Sequence, residues 1–360
     1  MKAAVCRAFG EPLAIEEVDL ASPGPGEIRV KVAACAICHS DIHFAEGEWG
    51  GRLPAVYGHE ASGVVEETGP GVATLQRGDH VVVTLIRSCG HCHYCAQGKP
   101  VACETKFPLD KQSPLSAEDG SSIVHGLRTG TFAEYAVVDE SQAVAIPDDV
   151  PLDSASLLAC GVITGLGAVV NTAEMRPGAN VVVIGAGGVG LNSVQGAAIG
   201  GARAIVVVDI VESKLEAAMQ FGATHAVDGR SPDAAERIRA TTNGRGADYV
   251  FVTVGAKAAY DQAIGFLAHA GALVVVGMPP SDVIAGYQPD DFAYKGQRIL
   301  GSSMGSSRIQ VDIPWLVSLY KQGRLKLDQL ISGRYRLEEI NEAIASTKSG
   351  EALRNVIIFD

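Results

Sequence analysis

The segment from Val181 to Asp209 constrains the fold more than any other part of the chain. Its first residues, Val181 to Ile184, form a β-branched run that is typical of a strand buried on both faces. A G-x-G-x-x-G spacing follows, in which the first glycine permits a tight turn, the second lets a pyrophosphate approach the backbone, and the third lets helix and strand pack closely. The three glycines are Gly185, Gly187 and Gly190. The segment therefore predicts a βαβ unit that binds dinucleotide phosphates at a helix N-terminus.

The acidic end of this segment favours NAD over NADP. A second buried run ends at Asp209, whose carboxylate can accept hydrogen bonds from both hydroxyls of an adenosine ribose. A 2′-phosphate would meet a like charge there. Further strands are predicted at Ala226–Val227, Tyr249–Val254, Leu273–Val276 and Ile299–Ser302. With the first two they make six, the number in a doubly wound α/β dinucleotide-binding sheet.

Length, charge and cysteine content limit the remaining possibilities. A chain of 360 residues is expected to form two domains. Its net charge of −12 argues against nucleic acid or an anionic membrane as partner and favours small molecules. The first residues lack the apolar core of a signal peptide, and two uncharged stretches, Ser154–Ala173 and Ala179–Ala202, are predicted to be buried rather than membrane-spanning. Eight cysteines in a metal-like pattern indicate a reducing cytoplasm.

The two ends of the chain have sequence patterns that differ from the strand–helix alternation of its centre. Residues 1 to about 150 alternate short apolar runs with glycine and proline, which predicts antiparallel β structure. The polar segment Glu104–Gly130 is predicted to be a long surface loop. From Pro314 the pattern predicts helix, strand and helix. The last strand, from Val356, has no partner nearby in sequence and is expected to return to the first domain.

Four cysteines form the strongest local motif. Intervals of two, two and seven residues separate Cys89, Cys92, Cys95 and Cys103, so their thiolates can close a tetrahedron around Zn²⁺. A closed four-thiolate site has no position for substrate, which predicts a structural role. Redox or iron–sulfur sites share this spacing and stay as alternatives. His91 and His93 are predicted to be solvated loop residues.

A second constellation is spread along the chain and consists of Cys38, His59 with Glu60, and Cys160. Two thiolates and an imidazole leave one coordination position free, as a catalytic zinc requires. Spacing alone cannot define this site. Taken singly, Cys160 would be a buried apolar residue and His59 a loop histidine.

These motifs, in this order, resemble the zinc-dependent medium-chain alcohol dehydrogenases over essentially the whole chain. The loop after the cysteines and Arg354 resemble most the class III branch, the glutathione-dependent formaldehyde dehydrogenases, and its bacterial relatives. The motifs that carry the resemblance are Cys38–His43, Gly58–Glu60, the four cysteines, Cys160–Gly165 and the glycine turn with Asp209.

The resemblance implies a GroES-like β-rich catalytic domain of residues 1–161 and 304–360, which holds both zinc sites, and a Rossmann NAD-binding domain of residues 162–303. Cys38, His59 and Cys160 would bind the catalytic zinc, with Glu60 as an occasional ligand. Asp41 would orient His59. The expected cofactors are NAD and two Zn²⁺, one catalytic and one structural.

The resemblance also assigns roles to further residues. Ser40 would take the proton of the alcohol, and His43 would pass it towards solvent. Other residues would contact NAD: His39 and Arg354 at the pyrophosphate, Lys214 near the ribose (or merely solvated), and Thr164, Gly188, Val189 and Val276. The pocket for the alcohol would be lined by Ser40, Trp49, Leu85, Leu127, Met278 and Met304.

The predicted function is interconversion of an alcohol and its aldehyde or ketone by hydride transfer. One alternative is a thiol-adduct dehydrogenase acting on S-hydroxymethylglutathione-type substrates, for which Lys106, Lys111 and Arg128 could hold carboxylates. Others are a nicotinoprotein with tightly bound NAD, a non-catalytic NAD-binding protein and a zinc-independent reductase. A homodimer, or a homotetramer, is expected in the cytoplasm, with Ile299–Ser303 as an edge strand across a two-fold axis.

Overall fold

The computed structural model describes all residues, Met1–Asp360, as two compact units. The first comprises Met1–Cys160 and Arg308–Asp360, and the second comprises Gly161–Ser307. These divisions lie close to the domain boundaries predicted from the sequence.

Short, mostly antiparallel strands dominate the first 160 residues. The strands are β1 (Lys2–Cys6), β2 (Ala14–Glu17), β3 (Asp19–Leu20), β4 (Glu27–Ala36), β5 (Ala55–Val56), β6 (Glu60–Thr68), β7 (His80–Val83), β8 (Leu115–Ser116), β9 (Ser122–His125), β10 (Tyr135–Asp139) and β11 (Ala143–Ala145). The α-helices are α1 (His39–Ala45), α2 (His93–Ala96), α3 (Pro108–Lys111) and α4 (Leu152–Ser156). Single 3₁₀ turns occupy Pro100–Ala102, Gly126–Arg128, Glu140–Gln142 and Leu157–Ala159.

Strand β4 is the centre of this unit. Ile28, Val30 and Val32 alternate along it and are buried, as expected for a strand with one face on a core. It pairs with β6 and β10 in one sheet, and the sheet that contains β1 and β5 contributes to the same apolar core.

The second unit is a parallel sheet with helices between its strands. Its strands are β12 (Asn180–Ile184), β13 (Ala204–Asp209), β14 (His225–Asp228), β15 (Ala247–Val252), β16 (Leu267–Val275) and β17 (Arg298–Gly301). Its helices are α5 (Gly161–Gly167), which continues as a π turn over Ala168–Thr172, α6 (Gly188–Ile199), α7 (Glu212–Gln220), α8 (Ala234–Thr241), α9 (Lys257–Ala263) and α10 (Pro289–Tyr294). Single 3₁₀ turns lie at Ile264–Phe266 and Met304–Ser306.

The order of these strands confirms the predicted doubly wound sheet. The order is β14-β13-β12-β15-β16-β17, and all five pairings are parallel. The order reverses between β12 and β15, and a crevice for a ligand is expected at the carboxyl ends of the strands at such a reversal. The glycine turn follows β12 at that point.

The C-terminal segment returns to the first unit, as the sequence predicts. It contains α11 (Ile309–Lys321), β18 (Ile331–Arg336), α12 (Ile340–Lys348) and β19 (Arg354–Ile358), with 3₁₀ turns at Asp328–Leu330 and Leu337–Glu339. Strand β19 pairs antiparallel with β4, with Val356 opposite Ala36. Helix α11 begins at Ile309 and not at Pro314, because the Asp312 carboxylate accepts a hydrogen bond from the Arg308 N–H and caps an earlier first turn.

The prediction of one long surface loop over Glu104–Gly130 is wrong. This segment contains α3 and a hairpin of β8 and β9, in which Leu115 and Ile123 are buried. The two strands are too short for their alternation to be visible in the sequence.

No single helix is long and apolar enough to cross a bilayer. A bent pair, Leu152–Ala159 with Gly161–Thr172, would qualify by length and composition only. The residues of α5 are all buried in the protein, as predicted for a core helix.

Candidate active site

Cys38, His59, Glu60 and Cys160 converge on one point inside the first unit. Their ligand atoms all lie within 4.8 Å of one another, and all four residues are buried. A tetrahedral zinc ion with sulfur ligands at about 2.3 Å would place those sulfurs about 3.8 Å apart. The spacing of this cluster therefore suits a single metal ion.

Asp41 connects the capping of α1 to the orientation of His59. Cys38 lies at the N-cap of α1, and its N–H donates to the Asp41 carboxylate at 3.0 Å. The other carboxylate oxygen accepts from His59 Nδ1 at 2.9 Å and from the N–H of Gly58 at 2.9 Å. Because Nδ1 is bound in this way, Nε2 is the ring atom available to a metal.

The donor set fits zinc. His59 Nε2 is buried and has no hydrogen-bond partner in the protein. A hydrogen bond from Cys160 lowers the pKa of the Cys38 thiol well below its usual value, and the same contact raises that of Cys160. Burial acts to lower the pKa of His59, but Asp41 and Cys38 outweigh it and raise that pKa. Soft sulfur donors and one imidazole in a buried pocket are a typical zinc site.

Glu60 forms a buried ion pair that sequence reasoning did not find. Its carboxylate pairs with the guanidinium of Arg354, the first residue of β19, and both side chains are almost fully buried. Burial raises the pKa of Glu60 to about 7, although the charge of Arg354 opposes the shift. The roles predicted for Glu60 as an occasional ligand and for Arg354 at a pyrophosphate stay predictions. No local pattern could have revealed the pair, because its members lie near opposite ends of the chain.

The four cysteines of the local motif, here called the knuckle, come together as their spacing predicts. The sulfurs of Cys89, Cys92, Cys95 and Cys103 lie within 4.8 Å of one another and are half-buried. Backbone N–H groups already point at them, as Cys92 N lies 3.2 Å from the sulfur of Cys89. His91 Nδ1 binds the Cys89 carbonyl, and His93 lies beside Gln97, so neither histidine belongs to the cluster.

The glycine turn has the three local geometries that its spacing predicts. Gly185 has φ +98°, which favours glycine. A Cβ on Gly190 would lie 1.8 Å from the Gly185 carbonyl oxygen, so α6 packs directly on the turn. A Cβ on Gly187 would meet nothing within 4 Å. The backbone is therefore open at the one glycine where a pyrophosphate is expected.

The other residues predicted to contact NAD lie in several elements. Asp209 ends β13, and its carboxylate accepts hydrogen bonds from Ala186 N at 2.6 Å and from Ile210 N at 2.7 Å. Gly188 and Val189 open α6, Lys214 is in α7, Thr164 is in α5, Val276 follows β16, and His39 is the exposed first residue of α1. Their contacts with NAD stay predictions.

The residues predicted to line the alcohol pocket include two with unusual backbones. Leu127 has φ +51° and Met304 has φ +47°, a left-handed conformation that is costly for such residues and is often found at functional sites. Trp49 and Leu85 are half-buried, whereas Met278 is 64% exposed. Their place in a substrate pocket stays a prediction.

Comparisons with known proteins agree with this geometry. Residues 24–148 match the family model described as alcohol dehydrogenase GroES-like domain, and residues 188–322 match the model described as zinc-binding dehydrogenase. The NDMA-dependent alcohol dehydrogenase of Amycolatopsis methanolica is 37% identical over 99% of this chain and 98% of that protein. The alcohol dehydrogenase class-3 of Cereibacter sphaeroides is 35% identical over 99% of both chains.

A solved structure extends the likeness to three dimensions. The benzyl alcohol dehydrogenase of Acinetobacter calcoaceticus superposes with a TM-score of 0.92 at 34% identity and covers 100% of this chain and 99% of its own. The expected small-molecule alcohol substrate and zinc agree with these matches. A nicotinamide cofactor is present in the solved structure of a putative zinc-binding dehydrogenase from Sinorhizobium meliloti, which is bound to NADP, is 27% identical and superposes with a TM-score of 0.84 over 99% of both chains. The chain belongs to the zinc-dependent medium-chain alcohol dehydrogenases.

Proposed function

We propose that this alcohol dehydrogenase holds its catalytic zinc with Cys38, His59 and Cys160 and exchanges NAD at the turn that begins at Gly185. The convergence of two sulfurs and the unpartnered Nε2 of His59 carries this proposal. When bound, the zinc would acidify the hydroxyl of the alcohol, and the nicotinamide would accept a hydride from the carbon that carries this hydroxyl.

The chain's own residues then have defined tasks. Asp41 holds the ring of His59 through Nδ1, so Nε2 is the atom that would bind the metal. Ser40 and His43 lie three residues apart on α1, on the same side of the helix, and would carry the proton of the alcohol away. Arg354 pairs with the Glu60 carboxylate and balances its charge beside the cluster.

The proposal is tested by a substrate screen in which zinc and nicotinamide are measured on the same preparation. The screen includes aliphatic alcohols, benzyl alcohol and the formaldehyde adduct of glutathione, each with NAD and with NADP. We expect NAD reduction with simple alcohols and two zinc ions per chain. One zinc per chain without activity would instead indicate a non-catalytic NAD-binding protein.

The same screen separates two alternatives. The relative from Amycolatopsis methanolica is named for NDMA dependence, which favours a nicotinoprotein as the second candidate. Stoichiometric nicotinamide that survives dialysis would support it. A thiol-adduct substrate has weaker support, because Arg128 lies 3.9 Å from the carboxylate of Asp110, which offsets its charge.

We expect Asp209→Gly to reduce the preference for NAD over NADP, measured as the ratio of kcat/KM values, by roughly tenfold, because the charge that opposes a 2′-phosphate is removed. Asp209 also accepts hydrogen bonds from the N–H groups of Ala186 and Ile210, so this variant should lose stability as well. Asp209→Asn removes the charge but keeps an acceptor oxygen and separates the two effects. An unchanged ratio in both variants would exclude the role of Asp209 in cofactor choice.

A homodimer in the cytoplasm completes the proposal. Strand β17 pairs only with β16, which leaves its other edge free. Ile299 on this strand is 44% exposed and lines an apolar cavity of about 290 Å³ with Tyr260, Val283 and Tyr287. A second copy of the strand would cover this edge. Light scattering that gives twice the mass of the chain would support the dimer.

A further inference from the structure

A carboxylate outside the metal cluster lies against the histidine of the proposed proton path. His43 Nδ1 is 2.5 Å from Glu48 Oε2. Helix α1 ends just before, and Gly47 turns the chain back with φ +80°. A Cβ on Gly47 would lie 2.8 Å from the Phe9 ring, and the Glu48 N–H donates to the His43 carbonyl at 3.0 Å. The backbone of this turn therefore places Glu48 beside the imidazole ring of His43.

The next residue fixes one face of the same ring. The indole of Trp49 stacks on His43 with centroids 4.8 Å apart and planes 29° apart. Phe44 in turn makes a T-shaped contact with the indole, with ring centroids 5.3 Å apart. The side chains of His43 and Glu48 are 23% and 40% exposed. The ring is thus held at Nδ1 and on one face, while the carboxylate that holds it reaches solvent.

We propose that Glu48 is a positioning residue for proton transfer by His43, an inference that rests on the proposed function. A carboxylate only accepts hydrogen bonds, so it selects the tautomer with the proton on Nδ1 and leaves the Nε2 lone pair free for an incoming proton. A proton from the alcohol that arrives at Nε2 makes the ring a cation, whose charge Glu48 balances. Loss of that proton to water restores the neutral ring, and nothing is oxidised or reduced in the step.

The test compares Glu48→Gln with Glu46→Gln in the full-length enzyme. Glu46 lies in the same turn, but its carboxylate pairs with Lys348 at the surface and not with His43. We expect Glu48→Gln to lower kcat about tenfold with little change in KM and to enlarge the solvent deuterium isotope effect, because proton transfer becomes slower. Glu48→Asp should restore part of the rate, and Glu46→Gln should stay within about twofold of wild type.

A second readout does not depend on activity. In protein labelled with ¹⁵N-histidine, the ring-nitrogen signals of His43, assigned by their loss in His43→Gln, should show Nδ1–H in the wild type. The Nε2–H form should increase in Glu48→Gln. An unchanged tautomer would overturn the inference, as would a kcat for Glu48→Gln within twofold of wild type or an equal loss in Glu46→Gln.

The two proposals fail in distinguishable ways. If the wild type shows no alcohol-dependent reduction of NAD, the proposed function fails, whatever the tautomer of His43. If the wild type is active and Glu48→Gln behaves like Glu46→Gln, only the inference about Glu48 fails.

Discussion

Cys38→Ala is expected to lower alcohol-dependent reduction of NAD on the order of a thousandfold or more while NAD binding changes little. The variant leaves only His59 and Cys160 of the proposed ligand set, so the zinc that acidifies the alcohol is no longer held. The glycine turn lies in the other unit and keeps its structure. Initial rates, zinc content and NAD titration on one preparation measure all three effects. The zinc content should fall from two ions to one per chain.

Cys35→Ser is the matched control for this variant. Cys35 lies three residues before Cys38 on β4 and is fully buried, but its sulfur contacts the hydroxyl of Thr131 at 3.3 Å instead of the metal cluster. Burial raises the pKa of Cys35 well above its usual value, which is consistent with a thiol that binds no metal. The control should keep two zinc ions and most of the activity. A Cys38→Ala enzyme that still turns over alcohol would contradict the ligand assignment.

The parts of the fold that could be predicted are those in which local sequence encodes local geometry. The spacing of Gly185 and Gly190 implies a turn and a close contact, and the structure contains both. The knuckle could be predicted for the same reason, because its loops are short. The buried runs before Gly185 and Asp209 are long enough to identify strands, and four further apolar runs complete the predicted six-stranded sheet.

The candidate catalytic cluster could not be derived from spacing, because Cys38, His59 and Cys160 lie far apart in the sequence and come together only in the folded chain. Family resemblance supplied those residues. Neither residue spacing nor family resemblance predicted the ion pair of Glu60 with Arg354, since a buried charge pair between distant strands leaves no periodic signal in the sequence.

The sequence also contained no sign of the close packing between α5 and α6. A Cβ on Gly165 would lie 2.2 Å from the Val189 carbonyl oxygen, so α5 and α6 approach along a path that only glycine permits. In the sequence this glycine sits in an apolar run with no turn signal, and its role becomes visible only once the two helices are side by side.

Gly187→Ala and Gly190→Ala are expected to fail in different ways, although the two glycines are three residues apart. A Cβ on Gly190 would lie 1.8 Å from the Gly185 carbonyl oxygen and 2.8 Å from Thr253 Oγ1, so α6 or the turn must move. We expect this variant to lose about 3 kcal/mol of unfolding free energy, as overpacked sites do. Thermal and urea unfolding measure the loss, and NAD binding should fall with it.

Gly187→Ala keeps the fold but alters the surface where the phosphates are proposed to bind. Gly187 has φ −78°, which alanine adopts readily, and the added methyl group meets no protein atom within 4 Å. Its unfolding free energy should therefore stay within about 1 kcal/mol of wild type. The methyl group would still hold a pyrophosphate away from the N–H groups of α6, which should weaken NAD binding at least ~10-fold. Wild-type affinity for NAD in Gly187→Ala would mean that the dinucleotide does not cross the turn at this glycine. Weak NAD binding in a stable Gly187→Ala protein would show that the backbone at this glycine serves phosphate binding, whereas Gly190 serves packing.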